Sequence, residues 1–217
     1  MKERVYYLDS SPGAREWHGR CLSFGVMLKI LIIDEHQQST ADLCEQLIRA
    51  GYQVAAVLPS SENLLDKVLH FKPDVILIET DSPSRDTLEH LAVMDRTAPR
   101  PVVLFGSDDD SETIHRVIQA GVSTYVVDGL DSSRLKPVID ITCARFEMMQ
   151  GLRNELARAT QKLDDRKIID KAKGILMKQR HLEEDAAYAS LRKLAMARGK
   201  TIAQVARDLI DSASLLF

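Results

Sequence analysis

The sequence predicts two structural regimes in one chain: a doubly wound α/β domain on a five-stranded parallel sheet, then an all-α segment. Three observations carry this. Between residues 28 and 145, short apolar runs alternate with amphipathic stretches, and a repeated βα unit implies a parallel sheet with helices on both faces. After Asp131 the apolar spacing takes a helical period and keeps it to the end of the chain. The charge divides near the same place. Residues 28–145 hold 11 basic against 19 acidic side chains, and residues 146–217 hold 14 against 10.

The elements follow in order. Leu28 to Ile33 is read as a buried strand ending at Asp34 and Glu35. Leu43, Leu47 and Ile48 mark a helix over residues 39–49, and Gly51 stops it. Residues 53–58 form a second strand, and Leu64, Leu65, Val68 and Leu69 mark a second helix. Val75 to Ile78 is a third strand, entered by Pro73 and Asp74, and Pro101 to Phe105 is a fourth. Ile114, Val117 and Ile118 mark a helix closed by Gly121, and Tyr125 to Val127 is a fifth strand. In such sheets the polar site lies at the carboxyl ends of the strands.

Leu135, Val138, Ile139, Thr142 and Phe146 then form a helical stripe. It runs on into Met149, Leu152, Leu156, Ala159 and Leu163, whose alternating steps of three and four make a heptad seam. Residues 147–167 are otherwise polar, so this stripe has little within the chain to bury against, and a homodimer through it is expected. Ile168, Ile169, Ala172, Ile175 and Leu176 continue the long helix. Glu183, Glu184 and Asp185 open a second helix with Ala186, Ala187, Tyr188, Leu191, Leu194 and Ala195 inward, and Gly199 ends it. Thr201 and Gln204 form a capping box that opens a third helix, with Val205, Ala206, Leu209 and Ile210 on one face.

Composition excludes several classes. Cys21, Cys44 and Cys143 are far apart and odd in number, with no CxxC or Cys/His cluster, so neither a disulfide framework nor a zinc site is expected. No apolar run reaches the length of a membrane span, and a reducing cytoplasm is the expected location. The 5% aromatic content argues against an extended stacking platform for single strands. Residues 1–27 carry scattered charges and no signal-peptide core. They are read as an amino-terminal extension, with Met27 as a candidate native start.

The acidic strand ends carry a first resemblance. Asp34-Glu35 after the first strand, Glu79 ending Pro73-Asp-Val-Ile-Leu-Ile-Glu79-Thr-Asp-Ser-Pro83, the fourth strand running into Gly106-Ser107, and Tyr125-Val-Val-Asp128-Gly129 resemble, in layout, a response-regulator receiver domain. The resemblance implies a flavodoxin-like fold over residues 28–145. It also implies a phospho-acceptor pocket at Asp34, Glu35, Glu79, Gly106 and Asp128, but a degenerate one. The family has Asp at position 79, a hydroxyl residue at 106 and lysine at 128. Phosphoryl transfer needs a metal to gather phosphate oxygens and a cation to hold the product's charge, and here an anion replaces that cation. No phosphorylation and no cofactor are therefore expected. The carboxylates Asp34, Glu35 and Glu79 are the candidate ligands were Mg²⁺ to bind.

The carboxy-terminal run is the more specific. Arg166-Lys-Ile-Ile-Asp-Lys-Ala-Lys173-Gly174-Ile-Leu-Met177, then Tyr188-Ala-Ser-Leu191-Arg192-Lys193 and Ile202-Ala-Gln-Val205-Ala206, resemble the ANTAR domain of the AmiR/NasT antiterminator family over residues 164–216. That resemblance implies a three-helix RNA-binding domain at residues 164–217, joined through a coiled-coil helix at residues 146–163, that grips leader mRNA hairpin loops as a dimer. The residues it implicates are Arg166, Lys173, Gly174, Arg180, Arg192 and Lys193. Arg166, Lys173 and Arg180 recur at seven-residue spacing on one side of the long helix. Arginine suits loops because its flat guanidinium stacks on splayed bases and forks onto phosphates.

Asp81 to Leu91 and Tyr125 to Leu130 resemble the NasT branch, which implies control of nitrate/nitrite assimilation and an inhibitory nitrate-sensor partner that sequesters the protein. An enzyme is not expected, since the acidic site lacks a paired base, a cation and a glycine-rich phosphate loop. The competing reading is a phosphorylation-responsive regulator acting on DNA or another protein. Against a DNA reader, the last helix turns Gln204, Arg207, Asp208, Asp211 and Ser212 outward, a poor set for a groove.

Overall fold

The computed structural model describes residues 27–35, 40–127 and 132–214. The chain divides into two compact units, Met1–Gln150 and Gly151–Phe217. In the first, β1 (Lys29–Asp34), β2 (Gln53–Leu58), β3 (Val75–Glu79), β4 (Val102–Gly106) and β5 (Thr124–Val127) alternate with α1 (Thr40–Arg49), α2 (Leu64–Phe71), α3 (Arg85–Thr97) and α4 (Ser111–Gln119). The helix α5 (Ser132–Arg180) follows, then α6 (Glu184–Arg198) and α7 (Ile202–Ser214) in the second unit.

The five strands pair in parallel in the order β2-β1-β3-β4-β5. Their near-continuous aliphatic runs are those of a sheet buried on both faces. Side chains alternate between two cores. Leu31, Ile33, Ile76, Ile78, Val102 and Leu104 face α2, α3 and α4 through Val68, Leu91, Met94 and Val117. Ile30, Ile32, Val75, Leu77, Val103 and Phe105 face α1 and the start of α5 through Leu43, Leu47, Leu135, Ile139 and Cys143. The predicted fold class is thus the observed one.

Two elements differ from the reading above. The helix α3 has no counterpart in it, although Leu91 and Met94 lie inward behind Ser84, whose hydroxyl accepts from Thr87 N–H at 3.1 Å. On α6, Ala187, Leu191 and Ala195 are buried, but Ala186 and Tyr188, expected inward, are exposed. The inward positions recur every fourth residue from Ala187, and Tyr188 lies one residue, about 100°, round the helix from them.

The helical unit closes on Ala172, Leu176, Ala187, Leu191, Ala195, Val205 and Ala206. Its small alanines let three helices approach closely. Gly199 takes φ 60°, a conformation costly for other residues, and ends α6. The capping box of α7 forms as read: Thr201 N–H donates to Gln204 Oε1 at 2.9 Å, and Gln204 N–H donates to Thr201 Oγ1 at 3.2 Å.

Candidate functional site

Parallel register brings the acidic residues to one end of the sheet. Asp34 pairs with Glu79 across β1 and β3, Glu79 with Phe105 across β3 and β4, and Gly106 with Val127 across β4 and β5. Asp34, Glu35, Glu79 and Gly106 therefore share the carboxyl edge, as expected. Asp128 and Gly129 lie outside the described residues.

The carboxylates do not converge there. Asp34 is buried and accepts from the hydroxyl of Thr40. Glu35 turns away from Asp34: its Oε2 accepts from Thr80 Oγ1 at 2.7 Å, and Oε1 from Thr87 Oγ1 at 3.5 Å. It lines a cleft of about 300 Å³ with Ser61, Ser84, Thr87, Glu62, Asp86 and Glu89, a set that includes neither Asp34 nor Glu79. Among the described residues, no three His, Cys, Asp or Glu side chains gather as a metal would need. Of the three carboxylates read as candidate Mg²⁺ ligands, Asp34 and Glu35 accept from hydroxyl donors. Asp34 also acts on Cys44, whose thiol is pushed up by burial first and by this carboxylate second.

Ser107, one residue beyond Gly106, is exposed and turns its Oγ to Asp81 at 3.5 Å. The space over Gly106 belongs to Tyr125, which donates from its hydroxyl to the Asp108 carbonyl at 2.7 Å. Burial, then the Asp108 charge, pushes this phenol above its ordinary value.

In the helical unit, the named residues separate into two kinds. Arg166, Arg180, Arg192 and Lys193 are exposed. Lys173 is only 16% exposed, held by Asp170 at 2.8 Å and by Glu184 of α6 at 2.6 Å. A lysine offered from sequence as a free RNA contact is therefore tied into a brace between α5 and α6. Among the described residues, nothing beyond the helix's own backbone lies within 4 Å of a Cβ built on Gly174, so that position has room for an approaching molecule. Arg207 of α7, an outward residue in the sequence reading, bonds to Asp165 at 2.6 Å, and Lys200 bonds to Asp208 at 2.7 Å.

The seam residues are all on the surface. Met149, Leu152, Leu156 and Leu163 are between 52% and 69% exposed, and Ala159 is exposed with them. Every residue from Gly151 to Asp164 is exposed, so among the described residues nothing covers this stretch of helix. No helix among the described residues is long and apolar enough to cross a membrane.

A receiver-type sheet with an acidic carboxyl edge, followed by a helical output unit, defines a response regulator. Residues 30–140 match the response regulator receiver domain and residues 157–210 match the ANTAR domain. The chain belongs to the response regulator receiver family and carries an ANTAR domain after its receiver. It is similar to the transcriptional regulatory protein PdtaR of Mycobacterium tuberculosis, at 24% identity over 184 residues covering 85% of this chain and 90% of that protein. It is also similar to the nitrate regulatory protein of Klebsiella oxytoca, at 31% identity over 80 residues, 37% of this chain and 20% of that one. Among solved structures, the signal receiver domain of a modulated diguanylate cyclase from Desulfovibrio desulfuricans shares the fold, with TM-score 0.51 and 21% identity over 57% of this chain and 99% of that one.

Proposed function

We propose that this chain is a cytoplasmic transcription antitermination regulator that binds leader RNA hairpin loops as a dimer, and that a partner protein, not phosphorylation, switches it. The observation that carries the RNA reading is the ANTAR match over residues 157–210, on a unit where Arg192 and Lys193 stand exposed. Arg166, Arg180 and the open Gly174 complete the proposed contact set, with Lys173 bracing it. The domain limits proposed are 28–145 for the receiver, 146–163 for the coiled-coil linker and 164–217 for the RNA-binding domain.

The uncovered seam supports dimerisation. Each exposed leucine that meets its counterpart on a second copy leaves water, at roughly 25 cal/mol per Å² of apolar surface. Two domains held together can engage two hairpin loops at once, which raises avidity without any new contact. Sequestration is supported by the receiver pocket, where Gly106 lacks the hydroxyl and the carboxylates do not converge. The nitrate/nitrite assimilation reading is supported by the segments resembling the NasT branch and by the similarity to a nitrate regulatory protein. Its inhibitory partner would then be a nitrate sensor.

Gel-shift titration of the full chain with leader RNAs from neighbouring operons tests this reading. Retention of a two-hairpin leader, weakened by Arg192→Ala with Lys193→Ala and unmoved by acetyl phosphate with Mg²⁺, is expected. No retention of any leader would overturn it.

A further inference from the structure

We infer that Tyr188 is a base-stacking residue that receives one unpaired base of a hairpin loop, with Arg192 beside it on the adjoining phosphate; this rests on the RNA-binding reading above. Ala187, Leu191 and Ala195 make the buried column of α6. Tyr188, Arg192 and Met196 each follow one residue later and make a second, outward column. Tyr188 is 43% exposed and takes no part in the hydrophobic cluster of this unit. Among the described residues its hydroxyl makes no hydrogen bond to hold the ring in place. A large ring left at the surface with neither core nor hydrogen bond to serve is available to a ligand.

Charge selects the ligand. Arg192 lies one turn beyond Tyr188, and Lys193 lies beside it. Neither forms an ion pair among the described residues, whereas Lys173, Lys200 and Arg207 of the same unit are engaged by carboxylates. The acids on the other side are Asp185, one turn before Tyr188, and Glu184, which Lys173 holds. Phosphate is therefore favoured toward Arg192 and Lys193, and an uncharged flat group over Tyr188. A nucleotide has that polarity. Within a duplex the faces of the bases are occupied by their neighbours, so only a loop base can take the ring. With one tyrosine in place of a platform, a single loop position is expected to respond.

The test uses the full chain and a synthetic RNA of two short-loop hairpins, selected by binding from a pool with randomised loops, then remade with 2-aminopurine at each loop position in turn. One position is expected to change its fluorescence on binding wild type and Tyr188→Phe, and not on binding Tyr188→Ala. The alanine variant is expected to bind about 5- to 150-fold more weakly, the usual span for loss of one stacked base, with an unchanged thermal midpoint. Equal affinity of Tyr188→Ala and wild type would overturn the inference. So would an equal loss toward a loopless duplex of the same length, because the ring would then serve the fold or the phosphates. If wild type captures no RNA from the pool, the RNA reading itself fails.

Discussion

Tyr125 closes over Gly106: a Cβ built on that glycine would lie 2.4 Å from the Tyr125 hydroxyl oxygen and 3.0 Å from two ring carbons. The ring is anchored by its hydrogen bond to the Asp108 carbonyl. The absent hydroxyl side chain and the seated tyrosine are thus one feature, since restoring the first evicts the second. Gly106→Ser is expected to destabilise the chain by about 1–3 kcal/mol, the usual cost of overfilling a packed site. In a Tyr125→Ala background the same change should cost much less, a coupling that a double-mutant cycle in urea measures. A serine at 106 tolerated with no loss of stability would mean that the ring moves freely.

The same contact bears on phosphorylation. Replacing Glu79 by Asp restores the family's acceptor residue but neither the hydroxyl at 106 nor the lysine at 128, and the carboxylates of Asp34 and Glu35 remain turned to Thr40 and Thr80. Incubated with acetyl phosphate and Mg²⁺, wild type and Glu79→Asp are both expected to stay unmodified by intact-mass measurement. A phosphorylated Glu79→Asp alone would show that the acceptor's length was the single defect. A phosphorylated wild type would remove the case for a purely sequestered switch.

The sheet was legible because parallel strands buried on both faces leave unbroken aliphatic runs, as in Ile30 to Ile33 and Val75 to Ile78. The acidic edge was legible because register follows from strand ends, which places Asp34 against Glu79. What a pattern of residue types does not encode is where a flexible side chain turns. Glu35 chose Thr80 and Thr87 over its carboxylate neighbours, and Lys173 chose Asp170 and Glu184 over solvent. Tyr188 was misplaced for a related reason. In a helix rich in alanine, apolar letters occur on every face, and only the packing distinguishes the column through Ala187 from the one beside it.

The seam gives a prediction in which stability and assembly separate. Leu156 is 69% exposed within one chain, so Leu156→Arg should leave the melting of both units nearly unchanged. Buried against a second copy, the same arginine would carry an unpaired charge into the interface. Light scattering after gel filtration is expected to find wild type dimeric and the variant monomeric. Affinity for a two-hairpin RNA should fall by about a hundredfold or more as the second loop is released, while affinity for one hairpin stays. A monomeric wild type would end the coiled-coil reading.

Lys173 separates bracing from RNA contact through pH. Hydrogen bonds to Asp170 first and Glu184 second hold its amine above the ordinary lysine value, and Lys173 in turn holds the Asp170 carboxyl below the ordinary carboxylate value. Lys200 does the same to Asp208. A raised lysine contributes stability that is complete below its unfolded pKa of about 10.4 and is lost as pH climbs through the folded value. A depressed carboxylate contributes stability that is present above its unfolded pKa of about 3.9 and is lost as pH falls through the folded one. The helical unit should therefore melt highest between those limits and lose stability on both sides. Lys173→Met should lower the neutral midpoint and converge on wild type at strongly alkaline pH, where the amine of the native chain is also neutral. Arg192→Ala should leave the midpoint alone and weaken only RNA binding. Melting by circular dichroism across pH measures both. A neutral midpoint unmoved by Lys173→Met would return this lysine from the brace to the RNA face.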